Sequence, residues 1–435
     1  MPPSLSISPI GPFKATIRPP GSKSLTNRAL LLAALAEGES TVREPLIADD
    51  TRSMLEGLAA LGFDIERSGD DGQINVSGRG GRIPADRADL DLGNAGTAMR
   101  PLAAACCLGN GAYRLDGNRR MRQRPIGELV DPLRELGAAI DYEGDAGFPP
   151  LRINGRGLQG GLVRMPTTLS SQYITALLMV GPACRDGLTI QFDGPVTSRP
   201  YVEMTLGVMK QFGVTAQVES SFTCITIPNG HYDAQDYTVE PDASSATYFL
   251  AAAAIRPDSQ CTIEGLGRRS LQGDVEFADV LHQMGAGLVF GADFITVMAP
   301  EAPAKLKGID VDLNHMPDAA LTLAAMGLFC DGTTTIRNVG NLRVKETDRL
   351  AALQTELTKL GARVQIDGDD LIIEPPAGGR VRPATIDTYD DHRIAMSFTV
   401  VGLAAEGIVI NDPDCVNKTF PAFFQYLKRL ETHTS

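Results

Sequence analysis

The 435-residue chain contains no Cys-x-x-Cys, and its seven cysteines stand singly apart from Cys106-Cys107. An odd, unpatterned set of thiols argues against a disulfide framework and fits a reducing cytoplasm. The five histidines (His231, His282, His315, His392 and His433) lack metal-ligand spacing, so no metal is expected. No apolar stretch approaches the roughly 18 residues of a membrane span, and residues 1–21 have early prolines but no apolar signal core. Basic charge is in short supply as well. A formal net charge of −13 disfavours nucleic acid or an anionic membrane as partner. Nucleotide and hydrolase signatures are also missing. Gly21-Ser-Lys-Ser24 lacks P-loop spacing, Asn94-Ala-Gly96 is not a Gly-x-Gly-x-x-Gly fingerprint, and no Gly-x-Ser-x-Gly or zinc motif occurs. The expectation is a soluble, cytosolic protein of ordinary composition, with 43% hydrophobic and 21% charged residues, long enough for two domains.

What is present is repetition. Leu61-Gly62, Leu136-Gly137, Phe212-Gly213, Met284-Gly285 and Leu360-Gly361 each close an amphipathic helix at a spacing of roughly 75 residues. A Gly just past a helix takes positive φ without penalty. Upstream of each pair, and once more near the C-terminus, a helix is apolar nearly all round. These are Ala29–Ala36, Leu102–Leu108, Ile174–Val180, Tyr248–Ile255, Leu321–Phe329 and Ile394–Ala405. Helices without a polar face belong in an interior. A β-like stretch follows each, such as Ala112–Asp116 or Gln260–Glu264, then an amphipathic helix and usually two more strands. Each unit reads β-α-β-α-β-β. Six units in two domains give three per domain, the last cut short and expected to borrow a strand from the N-terminus. Expected boundaries are hinges near 18–21 and 240–242. Residues 1–20 with 242–435 then form one domain and 21–241 the other.

The starts of the buried helices are more polar than a core requires. They read Gly21–Arg28, Gly93–Thr97, Leu169–Gln172, Asp242–Ser245, Pro317-Asp318 and Tyr389–Arg393. Each taken singly is an ordinary helix cap. Six from equivalent positions are expected to converge between the domains, where helix N-termini make an anion site. Lys23, Arg28, Arg124, Lys345, Arg349, Arg393 and Lys418 lie in the same stretches. They imply a strongly anionic small ligand carrying phosphate or carboxylate.

At nine places in order the residues resemble the 5-enolpyruvylshikimate-3-phosphate synthase family. The stretches are Pro20–Arg28, Leu92–Pro101, Arg124-Pro125, Ser170–Gln172, Ser198–Pro200, Asn314–Asp318, Asn341–Arg349, Asp391–Arg393 and Lys418–Phe420. The resemblance implies two inside-out α/β domains, an active site in the cleft between them, and no cofactor. It implies transfer of the enolpyruvyl group of phosphoenolpyruvate to the 5-hydroxyl of shikimate 3-phosphate, with release of phosphate. Lys23, Ser24, Arg28, Ser170, Ser171, Gln172, Ser198, Asp318, Asn341 and Lys345 would hold shikimate 3-phosphate. Lys23, Gly96, Arg124, Gln172, Arg349, Arg393 and Lys418 would meet phosphoenolpyruvate. Asp318 and Glu346 would serve as base and acid, with Lys23 helping. Gly96 and Pro101 follow the glyphosate-sensitive pattern. The expected assembly is a monomer acting on these two small molecules.

The sister transferase acting on a UDP-amino sugar carries a Cys on the loop before Arg124-Pro125, where Arg119 stands here. A non-catalytic anion-binding protein would not need Lys23, Asp318 and Glu346 together. An RNA 3′-phosphate cyclase of related fold is opposed by the acidic charge.

Overall fold

The computed structural model describes residues 3–68, 72–166 and 170–431. Leu169, at the start of one polar stretch, and His433 lie outside the described residues. The chain divides into two compact units, Met1–Pro20 with Pro241–Ser435, and Gly21–Glu240. Twelve α-helices lie among the described residues. In the Gly21–Glu240 unit they are α1 (Lys23–Leu35), α2 (Asp49–Ala60), α3 (Gly96–Cys106), α4 (Gly127–Glu135), α5 (Ser171–Val180) and α6 (Arg199–Gln211). In the other they are α7 (Ala243–Ile255), α8 (Phe277–Gln283), α9 (Ala320–Met326), α10 (Arg349–Lys359), α11 (His392–Gly402) and α12 (Phe423–Glu431).

Among the described residues each unit holds three sheets, and five of the six share one design. Before a buried helix comes a strand; after it comes a second strand, parallel to the first and followed antiparallel by the two arms of a hairpin. In the second repeat, Arg87–Asp91 runs parallel to Ala112–Asp116, which pairs antiparallel with Leu151–Asn154 and through it with Ala139–Tyr142. Leading strands are exchanged between chain ends. Lys14–Ile17 pairs parallel with Gln260–Glu264, and Asp236–Thr238 pairs parallel with Ala36–Arg43, so each unit is closed by a strand distant in sequence. Ser4–Ile7 pairs antiparallel with Ile408–Asn411 and supplies the shortened sixth repeat with its missing strand.

Strands such as Lys14–Ile17 and Arg87–Asp91 alternate exposed and buried residues, as sheets do when one face is solvated. The odd-numbered helices are the apolar ones. In α1, Leu30, Leu31 and Leu32 are all fully buried, each contributing roughly 1.5–3 kcal/mol by leaving water. Gly62, Gly137, Gly213, Gly285 and Gly361 have φ between +86° and +106°, a region closed to most side chains, and end the even-numbered α2 to α10 as the sequence indicates. The apolar run Leu321–Phe329 is not one helix: α9 stops at Met326 and a 3₁₀ turn, Gly327–Phe329, follows. Among the described residues no helix is long and apolar enough to cross a membrane.

Candidate active site

In the Gly21–Glu240 unit, side chains tie together the N-terminal parts of five helices, α1, α2, α3, α5 and α6. Lys23 opens α1 with its Nζ 3.1 Å from Asp50 Oδ2, in an ion pair whose side chains are 10% and 3% exposed. One turn on, Arg28 donates from Nε to Thr205 Oγ1 (2.7 Å), from Nη1 to the Ser24 carbonyl (2.9 Å) and from Nη2 to the Tyr201 carbonyl (3.3 Å). All these partners are neutral, and burial pulls the guanidinium down to about 10 against weak help from Tyr201 and Tyr237. A buried cation of this kind is incompletely compensated. Asn27 Nδ2 donates to Thr97 Oγ1 at 2.8 Å, fixing the start of α3 beside α1.

Gly96 is the first residue of α3, and its φ is not in the left-handed region. What the glycine supplies is room. A Cβ there would lie 2.6 Å from Arg124 Nη2 and 3.1 Å from Arg100 Nη1. Arg124 is buried and donates from Nη1 to both the carbonyl and Oδ1 of Asn94, each at 3.0 Å. The next carbonyl, of Pro125, accepts from Arg100 Nη2 (2.9 Å) and Tyr173 Oη (2.8 Å), so α5 is tied to the same loop. Ser170 caps α5 by accepting the Gln172 N–H, and Ser171 and Gln172 open the helix. Ser198 stands at the N-cap position of α6 without a side-chain cap bond and is buried with φ +53°, a strained conformation of the sort that clusters at functional sites. Cys106 and Cys107 are buried, with burial raising both thiols, so neither is a ready nucleophile. Arg119 is exposed on its loop.

The other unit is organised around one guanidinium. Arg349, at the start of α10 and 1% exposed, meets Asp391 twice, Nε to Oδ2 at 2.7 Å and Nη2 to Oδ1 at 3.1 Å. Its Nη2 also lies 3.0 Å from Glu346 Oε2, and its Nη1 donates to Asp318 Oδ1 at 3.0 Å. The second oxygen of Asp318 lies 2.9 Å from Arg393 Nη2, so this carboxylate bridges two arginines. Asp318 is not a helix cap: Ala319 holds that position and makes no side-chain cap bond. Asp391 caps α11 through the Arg393 N–H, and Arg393 Nη1 reaches Tyr248 Oη on α7 at 3.4 Å. Asp274 accepts from Ser244 Oγ near the start of α7, and burial, then the charge of Asp318, raises its carboxyl to about 6.

Asn341 and Lys345 lie on and just after the Gly340–Val344 turn that leads into Glu346. Lys418 ends the Pro413–Lys418 turn close enough to Asp390 to lower its carboxyl, against the larger upward effect of burial. Two acidic side chains central to this geometry carry no role in the sequence reading, Asp50 beside Lys23 and Asp391 beside Arg349. Asp391 had a signal, since it directly precedes a helix; Asp50 had none. A cleft of about 870 Å³ lined by Arg79, Arg82, Asn229 and His231 belongs to neither set. Gly80 and Gly81 bond the carbonyls at the far end of α1, about 20 Å from Lys23 by helix rise.

The family model described as EPSP synthase (3-phosphoshikimate 1-carboxyvinyltransferase) matches residues 7–427. The 3-phosphoshikimate 1-carboxyvinyltransferase of Vibrio atlanticus is 50% identical, covering 98% of this chain and 99% of its own length. That of Sulfurovum sp. is 48% identical, covering 99% and 100%. Among solved structures, EPSP synthase from Acinetobacter baumannii matches with a TM-score of 0.79 and 28% identity over 98% of both chains. The enolpyruvyl transferase NikO from Streptomyces tendae matches at 0.76 with 20% identity, covering 99% of this chain and 97% of its own, a likeness of fold. The chain belongs to the EPSP synthase (3-phosphoshikimate 1-carboxyvinyltransferase) family.

Proposed function

We propose that this protein transfers the enolpyruvyl group of phosphoenolpyruvate to the 5-hydroxyl of shikimate 3-phosphate, as a cytoplasmic enzyme of aromatic amino acid biosynthesis. The observation that carries the reading is that Asp318 and Glu346, base and acid in the reaction, both sit on the guanidinium of Arg349. In the first half of the reaction the 5-hydroxyl loses its proton to Asp318 and its oxygen attacks C2 of phosphoenolpyruvate. C3 takes a proton from Glu346, giving a tetrahedral phospholactoyl adduct. In the second half C3 returns a proton, the C2–O bond to phosphate breaks, and the enol ether and inorganic phosphate leave. No metal or organic cofactor enters this scheme.

Shikimate 3-phosphate is assigned to Lys23, Ser24, Arg28, Ser170, Ser171, Gln172, Ser198, Asp318, Asn341 and Lys345. Phosphoenolpyruvate is assigned to Lys23, Gly96, Arg124, Gln172, Arg349, Arg393 and Lys418. An arriving carboxylate or phosphate competes with Asp318 for Arg393 and Arg349. A carboxylate that gives up an arginine contact becomes a stronger base, so substrate arrival activates Asp318. Donors already fixed in place then stabilise the phosphate charge without reorganising. The test is a phosphate-release assay. Equimolar phosphate and enol ether are expected only with both substrates present; no release with both would overturn the reading.

A further inference from the structure

The backbone that delivers Asp391 and Arg393 is gripped a second time, two turns along α10 from Arg349, by a carboxylate the reaction does not use. Glu356 has a side chain with 0% exposure and collects three donors. Tyr389 Oη donates to Oε1 at 2.6 Å, the Asp387 N–H donates to Oε2 at 3.2 Å, and Lys359 Nζ lies 2.7 Å from Oε2. Lys359 also donates to Asp387 Oδ2 at 2.8 Å and to the Thr385 carbonyl at 3.4 Å. From the neighbouring strand Asn411 Nδ2 donates to Asp387 Oδ1 at 2.8 Å. A buried carboxylate with one cation and two further donors holds its place firmly, because each lost partner leaves charge uncompensated.

What this grip holds is a backbone that would not settle there unaided. Tyr389 and Asp390 both have φ +56°, and neither is glycine. Consecutive side-chain-bearing residues persist in the left-handed region only where surroundings over-determine them. Tyr389 is 41% exposed, so its hydroxyl bond to Glu356, more than packing, fixes the ring. Asp391 follows at once, capping α11 and pairing with Arg349, and Arg393 is two residues further. Residues 349 and 356 of α10 therefore hold the two ends of one short loop.

We infer that Glu356 is a positioning residue: through Tyr389 and the Asp387 backbone it sets where Asp391 and Arg393 are presented, and so sets affinity for phosphoenolpyruvate. Glu356 is fully buried and is not among the residues assigned to either substrate. The inference rests on the assignment of Arg393 and Arg349 to phosphoenolpyruvate.

Steady-state kinetics of Glu356→Gln and Tyr389→Phe test it. The Gln amide keeps one acceptor oxygen and turns an NH₂ toward groups that are themselves donors, so at least one grip is lost. Tyr389→Phe leaves Glu356 and Lys359 in place and removes only the hydroxyl. Both variants are expected to raise the KM for phosphoenolpyruvate about tenfold, with kcat and calorimetric affinity for shikimate 3-phosphate alone each within about twofold. A purely structural role would instead lower Tm and leave that KM unchanged. A Tyr389→Phe enzyme whose KM for phosphoenolpyruvate stays within twofold of wild type overturns the inference, even if Glu356→Gln fails to fold. A wild-type enzyme without turnover overturns the proposed function, and this inference with it, a result distinct from active variants that match wild type.

Discussion

Arg28 and Arg349 are both buried, at 7% and 1% exposure, yet the two units surround them differently. Arg28 donates to a hydroxyl and two carbonyls, and burial lowers its basicity. Arg349 spends four of its five N–H donors on Asp391, Glu346 and Asp318, and those three charges raise its basicity despite burial. A guanidinium with neutral partners still has its electrostatic demand to meet, and an anion meets it. A guanidinium surrounded by carboxylates also serves as scaffold: it aligns Asp318 and Glu346, the proposed base and acid.

The comparison breaks most visibly in stability. Arg349→Met takes the arginine away from Asp391, at 0% side-chain exposure, and from Glu346, at 7%, and is expected to cost about 3–5 kcal/mol in urea unfolding. Arg28→Met removes a buried charge from neutral surroundings and should cost no more than about 1 kcal/mol. Similar losses for both would show that the two arginines are treated alike after all.

Asp318 sharpens the same contrast by separating chemistry from scaffold. Asp318→Ala leaves Arg349 paired with Asp391 and Glu346, so the fold should survive while kcat falls about a thousandfold. Affinity for shikimate 3-phosphate should change far less. Near-normal kcat in the folded variant would remove Asp318 from the base role.

Gly96→Ala probes the other unit. The added methyl bears on the Arg124 guanidinium, which Asn94 holds at two points, so the arginine has to shift. Wild type should be inhibited by glyphosate competitively with phosphoenolpyruvate. In the variant the inhibition constant should rise by a larger factor than the KM, corresponding to about 1–3 kcal/mol for one methyl of overlap. Equal rises in both constants would show that Arg124, not the longer inhibitor, takes the strain.

Asp274 offers the smallest and most pH-specific effect. Its carboxyl, raised to about 6 by burial and then by Asp318, keeps its proton in the native state over a range where an unfolded Asp, near 3.8, has lost it. The native state then binds more protons, and this group's contribution to stability falls as pH rises from about 4 to about 6. Asp274→Asn cannot ionise, so its stability relative to wild type should improve by about 2 kcal/mol between pH 4 and pH 7. A difference independent of pH would contradict the raised carboxyl.

Much of this architecture is legible in sequence because its signals are local. All-apolar helices announce an interior, and a glycine after a helix needs only its own φ. The exchange of Lys14–Ile17 and Asp236–Thr238 into distant sheets leaves no local mark, since such pairing is decided by which edge is left open. The Arg and Lys of the candidate site stand out because they interrupt apolar helix starts. Their counter-charges do not: Asp50 reads as part of an ordinary acidic helix start, and Glu356 as one more polar residue of an amphipathic helix. A buried carboxylate becomes visible only when three dimensions supply its partners.

A buried cation with neutral partners is expected to seat an anion, and Arg28→Met puts this to the test. Shikimate 3-phosphate is titrated by calorimetry into wild type and Arg28→Met, with urea unfolding of both proteins as a control for folding. Arg28→Met is expected to unfold within about 1 kcal/mol of wild type and to bind shikimate 3-phosphate at least tenfold more weakly, the loss of about 1.5–3 kcal/mol expected for hydrogen bonds to a charged group. Unchanged affinity in a fully folded Arg28→Met protein would contradict it.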